Sequence, residues 1–476
     1  MSLDKLLNSI KDIMLSDNSD IENLNELIKL ASAGDLKSKN MLKVYIKKYL
    51  ADILDKEHST VDGYIKQYHI NYFEPVYKGD DRDYGRVINS ICISGNSDRD
   101  KKIDLLIQII YQELYGLSVI DPYSYGDMEG LNEINVNSAD FISFQVNGKR
   151  ERVKNLYFKD NRTCFEIIKK SISNSSDDDL RPNNPEIICD NLSGARVTAL
   201  IPPYSREPSL NLRYEDYKYI SSENLIVEGT STKQLERFMD IIMKSRPNIL
   251  VVGPQSAGKT TYLLRLISSI PDNLTLLTME SSFELAIRKY FPDKDVKNLK
   301  FLNIKSPMDC FKTGLRLGRD IMIDGEVRTP EEAYITLQAM TRQNRGSLGS
   351  FHTSSIKNFI PDYKNMLMQN NSYKSEESAL YDIARAVDIV IFIALNLATG
   401  KRYIQEVTEV IFRPENYHMP YELNPMFERR EGNLALINPI SQDYLNEAFS
   451  FGFTEKYMEE LKALYGECGI DMGCLK

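Results

Sequence analysis

Tryptophan is missing altogether, and histidine occurs only four times in 476 residues. The six cysteines, at 92, 164, 189, 310, 468 and 474, include no C-x-x-C pair. Together with so few histidines, that spacing excludes the common zinc sites and points to reduced cytosolic thiols. Cys468 and Cys474 stand close enough in sequence to pair, but a flexible tail is the simpler expectation. No run of 18 apolar residues is present, so no membrane-spanning helix is expected. The opening stretch MSLDKLLNSIKDIML carries acids and lacks an apolar core with a small-residue cleavage site, so no signal peptide is expected. Positive charge is also in short supply. Lys and Arg number 59 against 68 Asp and Glu, a net charge of −9, which argues against general nucleic-acid binding.

The remaining composition is that of a soluble globular chain, 42% hydrophobic and 27% charged, long enough for two to four domains at about 150 residues each. Residues 1–99 read as a helical N-terminal extension. Leu3, Leu6, Leu7, Ile10, Ile13 and Met14 form one helical stripe, and Ile21, Leu24, Leu27, Ile28 and Ala31 form a second, ended by Gly34. A third helix, about 36–54, carries Lys39, Lys43 and Lys47 along one side. Such a basic stripe suits either an anionic membrane surface or the solvated face of a small bundle. Residues 56–100 are polar, with turn signals at 79–81 and 95–98. A better helix covers about 100–114. Strands at 132–137, 141–146, 196–203 and 209–214, a hairpin turn at Asn147-Gly148 and a helix at 160–173 make 100–220 a small α+β domain. A linker and hinge is expected within 215–230, with its core at 221–230. From 231 to 415 helices and apolar strands alternate. This is the pattern of an α/β fold with a largely parallel sheet covered by helices. Residues 399–402 read as a terminal hairpin turn. The segment 416–476 reads as loop followed by two helices.

One stretch carries definite chemistry. Ile249 to Val252 form a short apolar strand, Gly253-Pro254-Gln255-Ser256-Ala257-Gly258-Lys259-Thr260 a glycine-rich loop, and Leu263, Leu264, Leu266 and Ile267 recur at helical spacing. This is the strand, G-x-x-x-x-G-K-[ST], helix order of a phosphate-binding loop. Backbone N–H groups of the loop and first helical turn converge on phosphate oxygens, and glycine permits so tight a bend. Gly253, Ser256, Gly258, Lys259, Thr260 and Thr261 are therefore candidate nucleotide contacts. Lys259 would reach the β- and γ-phosphates, and the Thr260 hydroxyl would hold Mg²⁺. Hydrolysis also needs an acid at the end of a neighbouring strand. Ile321 to Glu326, IMIDGE, ends in Asp324 and Glu326. Period-2 geometry puts these two acids on the same face, which leaves open which of them meets the metal-bound water.

Beyond the phosphate loop, LRLGRDIMIDGEVRTPEEAYITLQAM (315–340) and GSLGSFHTSS (346–355) resemble the secretion ATPase superfamily of type II and type IV secretion and of type IV and tight-adherence pili. The likeness is greatest to the tight-adherence (Flp) pilus and type IV secretion branch. That family joins a P-loop to an aspartate box, an acidic strand ending in GE[VI]R and a histidine box of the form GS-x-x-T-x-H. GLSVIDPY, NEINVN, SGARVTALIPP and NLRY on the N-terminal side, and ARAVDIVIFI with GKRYIQEVTEV on the C-terminal side, extend the resemblance over about 103–415. No four-cysteine zinc site of the type II assembly ATPases is present.

The resemblance implies a RecA-like P-loop NTPase domain at 231–415 behind the smaller α+β domain. It implies ATP and Mg²⁺ as ligands, with Lys259 on phosphate and Thr260 and Glu326 at the metal, Glu326 partly through water. Glu326 would orient or activate the attacking water. Glu280 and Glu284, in TMESSFEL, match the aspartate box, with Ser281 standing where the family usually has Asp. That departure leaves Glu280 as the stronger candidate acid. His352 would sense the γ-phosphate, with Ser350 keeping the hydroxyl of the family's Thr. Arg196 and Arg213 match arginines that close over the nucleotide and neutralise charge, and Arg316, Arg319 and Arg328 are candidates for the site or a subunit interface.

The implied machine is a cytoplasmic homohexamer, peripherally associated with the cytoplasmic membrane. It would convert hydrolysis into domain movement and pass the work to a polytopic inner-membrane platform protein, with no nucleic acid expected. Two rivals are a DNA-handling motor on a similar core, for which 230–415 lacks a basic and aromatic cluster, and a nucleotide-binding scaffold without turnover.

Overall fold

The computed structural model describes residues 2–17, 21–56, 61–70, 98–124, 128, 130, 131–146, 149–172, 180–214, 219–302, 304–342, 345–369, 372–396 and 398–470. The chain divides into two compact units, Met1–Asp216 and Tyr217–Lys476.

In the first unit, helices α1 (Leu3–Asp17), α2 (Ile21–Ser32), α3 (Leu36–Lys56), α4 (Val61–Ile65) and α5 (Asp98–Leu114) precede a 3-10 turn at Ser118–Tyr123. Then come strands β1 (Leu131–Ser138), β2 (Phe141–Val146) and β3 (Lys149–Val153), helix α6 (Asn161–Ser171), and strands β4 (Glu186–Asp190), β5 (Ala195–Leu200) and β6 (Ser209–Tyr214). The strands form one antiparallel sheet in the order β3-β2-β1-β6-β5-β4. The helices are not a separate extension. Leu6, Ile10, Leu42 and Ile46 share one core with Ile134, Phe144 and Leu212 of the sheet. Of the proposed basic stripe on α3, Lys39 and Lys43 are buried, and Lys39 pairs with the buried Asp121 at 2.9 Å. Burial of the paired ammonium outweighed the solvated face that a sequence period alone suggests. The turn at 79–81 lies outside the described residues, as does that at 95–98 except for Asp98, which opens α5. Asn147 and Gly148 are also outside, although β2 and β3 pair up to Val146 opposite Lys149, as a two-residue hairpin requires.

The second unit begins inside the expected linker. Residues 221–230 instead hold helix α7 (Ser222–Val227), capped by the Ser221 side chain, with Leu225 buried in the unit's core. Next come α8 (Lys233–Ile242), β7 (Ile249–Val252), α9 (Lys259–Ser268), β8 (Leu276–Glu280), α10 (Ile287–Tyr290), β9 (Val296–Lys300), α11 (Pro307–Leu317), β10 (Ile321–Val327), α12 (Pro330–Arg342), β11 (Leu348–Phe351), α13 (Ile356–Gln369) and α14 (Glu376–Ala386). Strands β12 (Ile389–Leu395), β13 (Arg402–Phe412), β14 (Tyr421–Arg430) and β15 (Asn433–Leu436) and helices α15 (Gln442–Ala448) and α16 (Glu455–Glu467) complete it.

One sheet runs β15-β14-β13-β12-β7-β11-β10-β8-β9. It is parallel from β12 to β9 and antiparallel from β12 to β15. The α/β fold class expected from the alternation is therefore present. The sheet's edge strand is Val296–Lys300, followed by an isolated bridge between Leu302 and Lys305. One sequence expectation changes. The C-terminal segment is not only helical, because β14 and β15 widen the sheet and α16 packs back into its core.

β7 shows why it reads as an unbroken apolar run. Ile249 and Val251 enter the core under α8 and α9, while Leu250 and Val252 enter the one under α12, α13 and α14. A central strand covered on both faces has no polar side. Its C-terminal end delivers the chain to the phosphate loop, at the edge where open α/β sheets bind ligands.

Candidate phosphate-binding and catalytic site

The loop between β7 and α9 owes its shape to a few positions. Gly253 runs so close to β12 that a Cβ there would meet the Ile393 carbonyl oxygen at 2.2 Å. Gly258 has φ 91 and Ser256 φ 61, both in the left-handed region. No side chain caps α9. Its first N–H groups are thus left for an anion, favoured there by the helix dipole. Thr260 and Thr261 lie in that first turn, Thr260 buried and Thr261 half-buried.

Lys259 opens α9 and is 5% exposed. Its Nζ donates to the Gly253 carbonyl at 3.3 Å, the Pro254 carbonyl at 3.0 Å and His352 Nδ1 at 3.2 Å, which uses all three donors of an ammonium. Burial, opposed by the Glu326 carboxylate, pulls this ammonium down to about 8. An imidazole that accepts at Nδ1 carries its proton at Nε2, and His352 Nε2 lies 2.5 Å from Glu326 Oε1. Arg328 also pairs with Glu326. Burial raises the Glu326 carboxyl, but the His352 hydrogen bond, Arg328 and Lys259 outweigh it and hold it at about 2.

Asp324 and Glu326 do not share a face. Along β10 and β11, Asp324 stands opposite Gly349 and Val327 opposite Phe351, so three steps on one strand match two on the other. This bulge breaks the period of two. Asp324 turns to α12, where Thr336 Oγ1 donates to its Oδ2 at 2.7 Å, while its Oδ1 finds no partner among the described residues. Burial, with Glu332 nearby, pushes its carboxyl well above the usual range. Its carboxyl faces α12, whereas Glu326 is the one of the two that meets His352 and, through it, Lys259. The bulge is held by Ser350, whose buried hydroxyl donates to the Gly325 carbonyl at 2.8 Å.

The aspartate-box residues divide by role. Glu280 is buried, and its Oε1 accepts from the Glu284 and Leu285 N–H groups, both at 2.9 Å. Its Oε2 accepts from Thr278 Oγ1 at 2.8 Å, and burial raises its pKa. Both oxygens thus fasten the loop after β8, leaving Glu280 a structural contact in this arrangement rather than a free acid. Ser281 reaches the cluster through Arg328, whose Nη1 donates to Ser281 Oγ at 2.7 Å while Nη2 lies 3.3 Å from Glu284. Arg328 therefore connects the aspartate box to Glu326, and Glu332 fixes its backbone by accepting from the Arg328 and Thr329 N–H groups at 2.6 and 2.8 Å.

Lys259, Glu326, His352 and Arg328 are thus brought together, with Glu280 behind them. Arg319 instead pairs with Asp295 at 2.9 Å, and Arg316 is exposed on α11. Arg196 and Arg213 belong to the first unit, where they are register partners across β5 and β6. The Ser350 brace and the Glu332 cap were not anticipated from sequence. The G-S-x-x-S spacing signals the first only once the bulge is known, and T-P-E-E before a helix signals the second as an N-terminal cap. Among the described residues no cluster of three or more His, Cys, Asp or Glu is poised to hold a metal. The oxygen groups at hand, the Thr260 hydroxyl and the Glu326 carboxylate that His352 and Arg328 engage, are of the kind that suits a hard, largely hydrated ion such as Mg²⁺.

The family model described as "Type II/IV secretion system protein" matches residues 128–416. Protein VirB11 of Rhizobium radiobacter is 25% identical over 247 residues, covering 45% of this chain and 71% of that protein. The probable conjugal transfer protein TrbB of Sinorhizobium fredii is 23% identical over 247 residues, covering 50% and 71%. Among solved structures, the VirB11 ATPase of the Brucella suis type IV secretion system in complex with sulphate aligns with 19% identity over 60% of this chain and 90% of that chain, TM-score 0.33. The pilus retraction motor PilT with bound ADP aligns with 15% identity over 71% and 86%, TM-score 0.44.

Proposed function

The chain belongs to the type II/IV secretion system protein family, whose model spans more than half of it, and from that premise we propose that it hydrolyses ATP to drive a pilus or secretion machine. The observation that carries the reading is the His352 bridge. One imidazole joins the phosphate-loop lysine to the acid at the end of β10. A scaffold that only bound nucleotide would need the lysine but not a carboxylate coupled to it.

The residues divide the work as follows. The loop N–H groups and Lys259 bind the phosphates, and Lys259 gives up its loop carbonyls to do so. Thr260 and Glu326 would hold Mg²⁺, which when bound would supply charge neutralisation at the phosphates. Glu326 is too weak a base at about 2 while His352 and Arg328 both hold it. Loosening either contact raises its basicity toward the attacking water. His352 therefore links the departure of Lys259 toward phosphate with the readiness of Glu326. The same reading takes the chain as a homohexamer that passes its work to a polytopic membrane protein, on the tight-adherence or type IV secretion branch. The names of the VirB11 and TrbB relatives, a type IV secretion system protein and a probable conjugal transfer protein, support the type IV secretion side of that reading. Among the described residues no helix is long and apolar enough to cross a membrane, and the proposed association is peripheral.

Phosphate release with wild-type protein, Lys259→Ala and Glu326→Gln tests the proposal. Lys259→Ala is expected to lose binding and turnover. Glu326→Gln should keep binding and lose turnover by about 10²–10⁴-fold. A wild type that binds ATP but releases no more phosphate than these variants would be a scaffold. Mass measurement with and without nucleotide tests the hexamer, and turnover that rises with added DNA would favour the DNA-handling rival.

A further inference from the structure

β12 ends at Leu395 and β13 begins at its register partner Arg402. The tip between them is well tied: Asn396 N–H donates to Lys401 O at 2.9 Å and Gly400 N–H to Asn396 O at 2.7 Å. Sequence reading gave this TGKR tip no role beyond a turn. Arg402, however, lies against the phosphate loop. Its Nε donates to the Ser256 carbonyl at 2.8 Å, and its Cδ stands 3.3 Å from where a Cβ on Gly258 would be. Ser256 is the loop's non-glycine residue in the left-handed region, at φ 61. Arg402 gives the Ser256 carbonyl a donor from outside the loop. An exposed arginine normally binds a carboxylate of little energetic consequence; this one binds main chain at the loop's left-handed Ser256.

The arginine is itself anchored. Its carbonyl accepts from Thr230 Oγ1 at 3.1 Å, and the Ile404 N–H donates to the Thr230 carbonyl at 2.9 Å. Arg429 of β14 donates to the Ile404 carbonyl at 2.9 Å and the Gly229 carbonyl at 3.2 Å, with its guanidinium 5.2 Å from the Tyr403 ring centroid. The segment at Gly229–Thr230, the start of β13 and the phosphate loop are therefore laced into one hydrogen-bonded series.

We propose that Arg402 is a positioning residue that sets the phosphate loop in its binding shape and couples that shape to the Gly229–Thr230 segment early in the second unit. The proposal rests on the phosphate-loop reading for its functional meaning, though not for its structural content. The test uses the full chain with Arg402→Ala, Arg402→Lys and Thr230→Ala. In nucleotide-free protein, amide hydrogen exchange over 254–258 is expected to quicken in Arg402→Ala, less in Thr230→Ala, and to recover partly in Arg402→Lys. The Kd for ADP should rise roughly tenfold in Arg402→Ala, as expected for one charge-assisted hydrogen bond, and KM for ATP should rise with it while kcat changes less. Unaltered exchange and affinity in Arg402→Ala would overturn the proposal. So would faster exchange spread over all of β12 and β13, which would make the residue a fold contact. If wild-type protein bound no nucleotide, the proposed function would fall, while the exchange experiment would still decide whether Arg402 holds the loop.

Discussion

At the scale of single residues, the site depends on atoms that are already engaged. Burial disfavours the Lys259 ammonium and pulls its pKa down to about 8. Phosphate favours the charged form, so binding above that pH must take up a proton. The Kd for ATP is therefore expected to be flat from about pH 6 to 7.5 and to rise by up to tenfold per unit above about 8. Calorimetry in buffers of different ionisation enthalpy should show proton uptake there, and Lys259→Arg should flatten the profile. Glu326, held at about 2, stays ionised throughout and adds no inflection. Ser350→Ala removes the one side-chain bond on the bulge carbonyl and leaves a buried acceptor, at a cost of about 1–3 kcal/mol. Its turnover should fall more than its affinity for ADP, because the bulge aims Glu326 and not the phosphate loop; equal losses in both would contradict that division.

At the scale of elements, α8 and α9 are joined by an ion pair inside the core. Arg265 is 1% exposed, with Nε 2.6 Å from Glu236 and Nη2 2.7 Å from Asp240. Tyr262 also donates to Glu236. Glu236→Ala leaves the buried guanidinium with the half-exposed Asp240 as its carboxylate partner and should destabilise the second unit by about 3 kcal/mol, measured by urea unfolding. Asp240→Ala, whose carboxylate is half in solvent, should cost less. Elements of this unit were largely readable: β7, β10 and β12 are apolar runs, and the loop after β7 has a spacing with one physical use. The bulge in β10 was not readable. Nothing in IMIDGE marks it except Gly325, and the side-chain period is broken by pairing with β11, which lies beyond any local window. The engagement of Glu280 was hidden for a related reason. Its letter suits a catalytic acid, but the N–H groups that occupy it belong to a loop whose fold the sequence does not display.

At the scale of the whole molecule, the two units have cores of their own, one cluster in the first and three in the second. The sequence reading set 1–99 apart as a helical extension and 416–476 as a helical segment. The described helices of each lie in a unit's core, because amphipathic stripes show that a helix is half-buried without showing what covers it. The phosphate cluster lies wholly in the second unit. ADP at 100 times its Kd should stabilise that unit by about 2.7 kcal/mol, read as slower exchange in β7, β11 and β12, and Lys259→Ala should abolish the effect.

The extra residue in β10 has a consequence for how such acids are spelled. In a regular strand, two adjacent residues point to opposite faces. Here Asp324 and Glu326 reach opposite sides of the sheet although a glycine separates them, because the bulge absorbs Gly325. Asp-Glu in an unbroken strand and Asp-Gly-Glu in a bulged one are therefore geometric synonyms. A pattern that insists on fixed spacing will treat them as different sites, whereas one that counts ladder rungs will find the same acid in both.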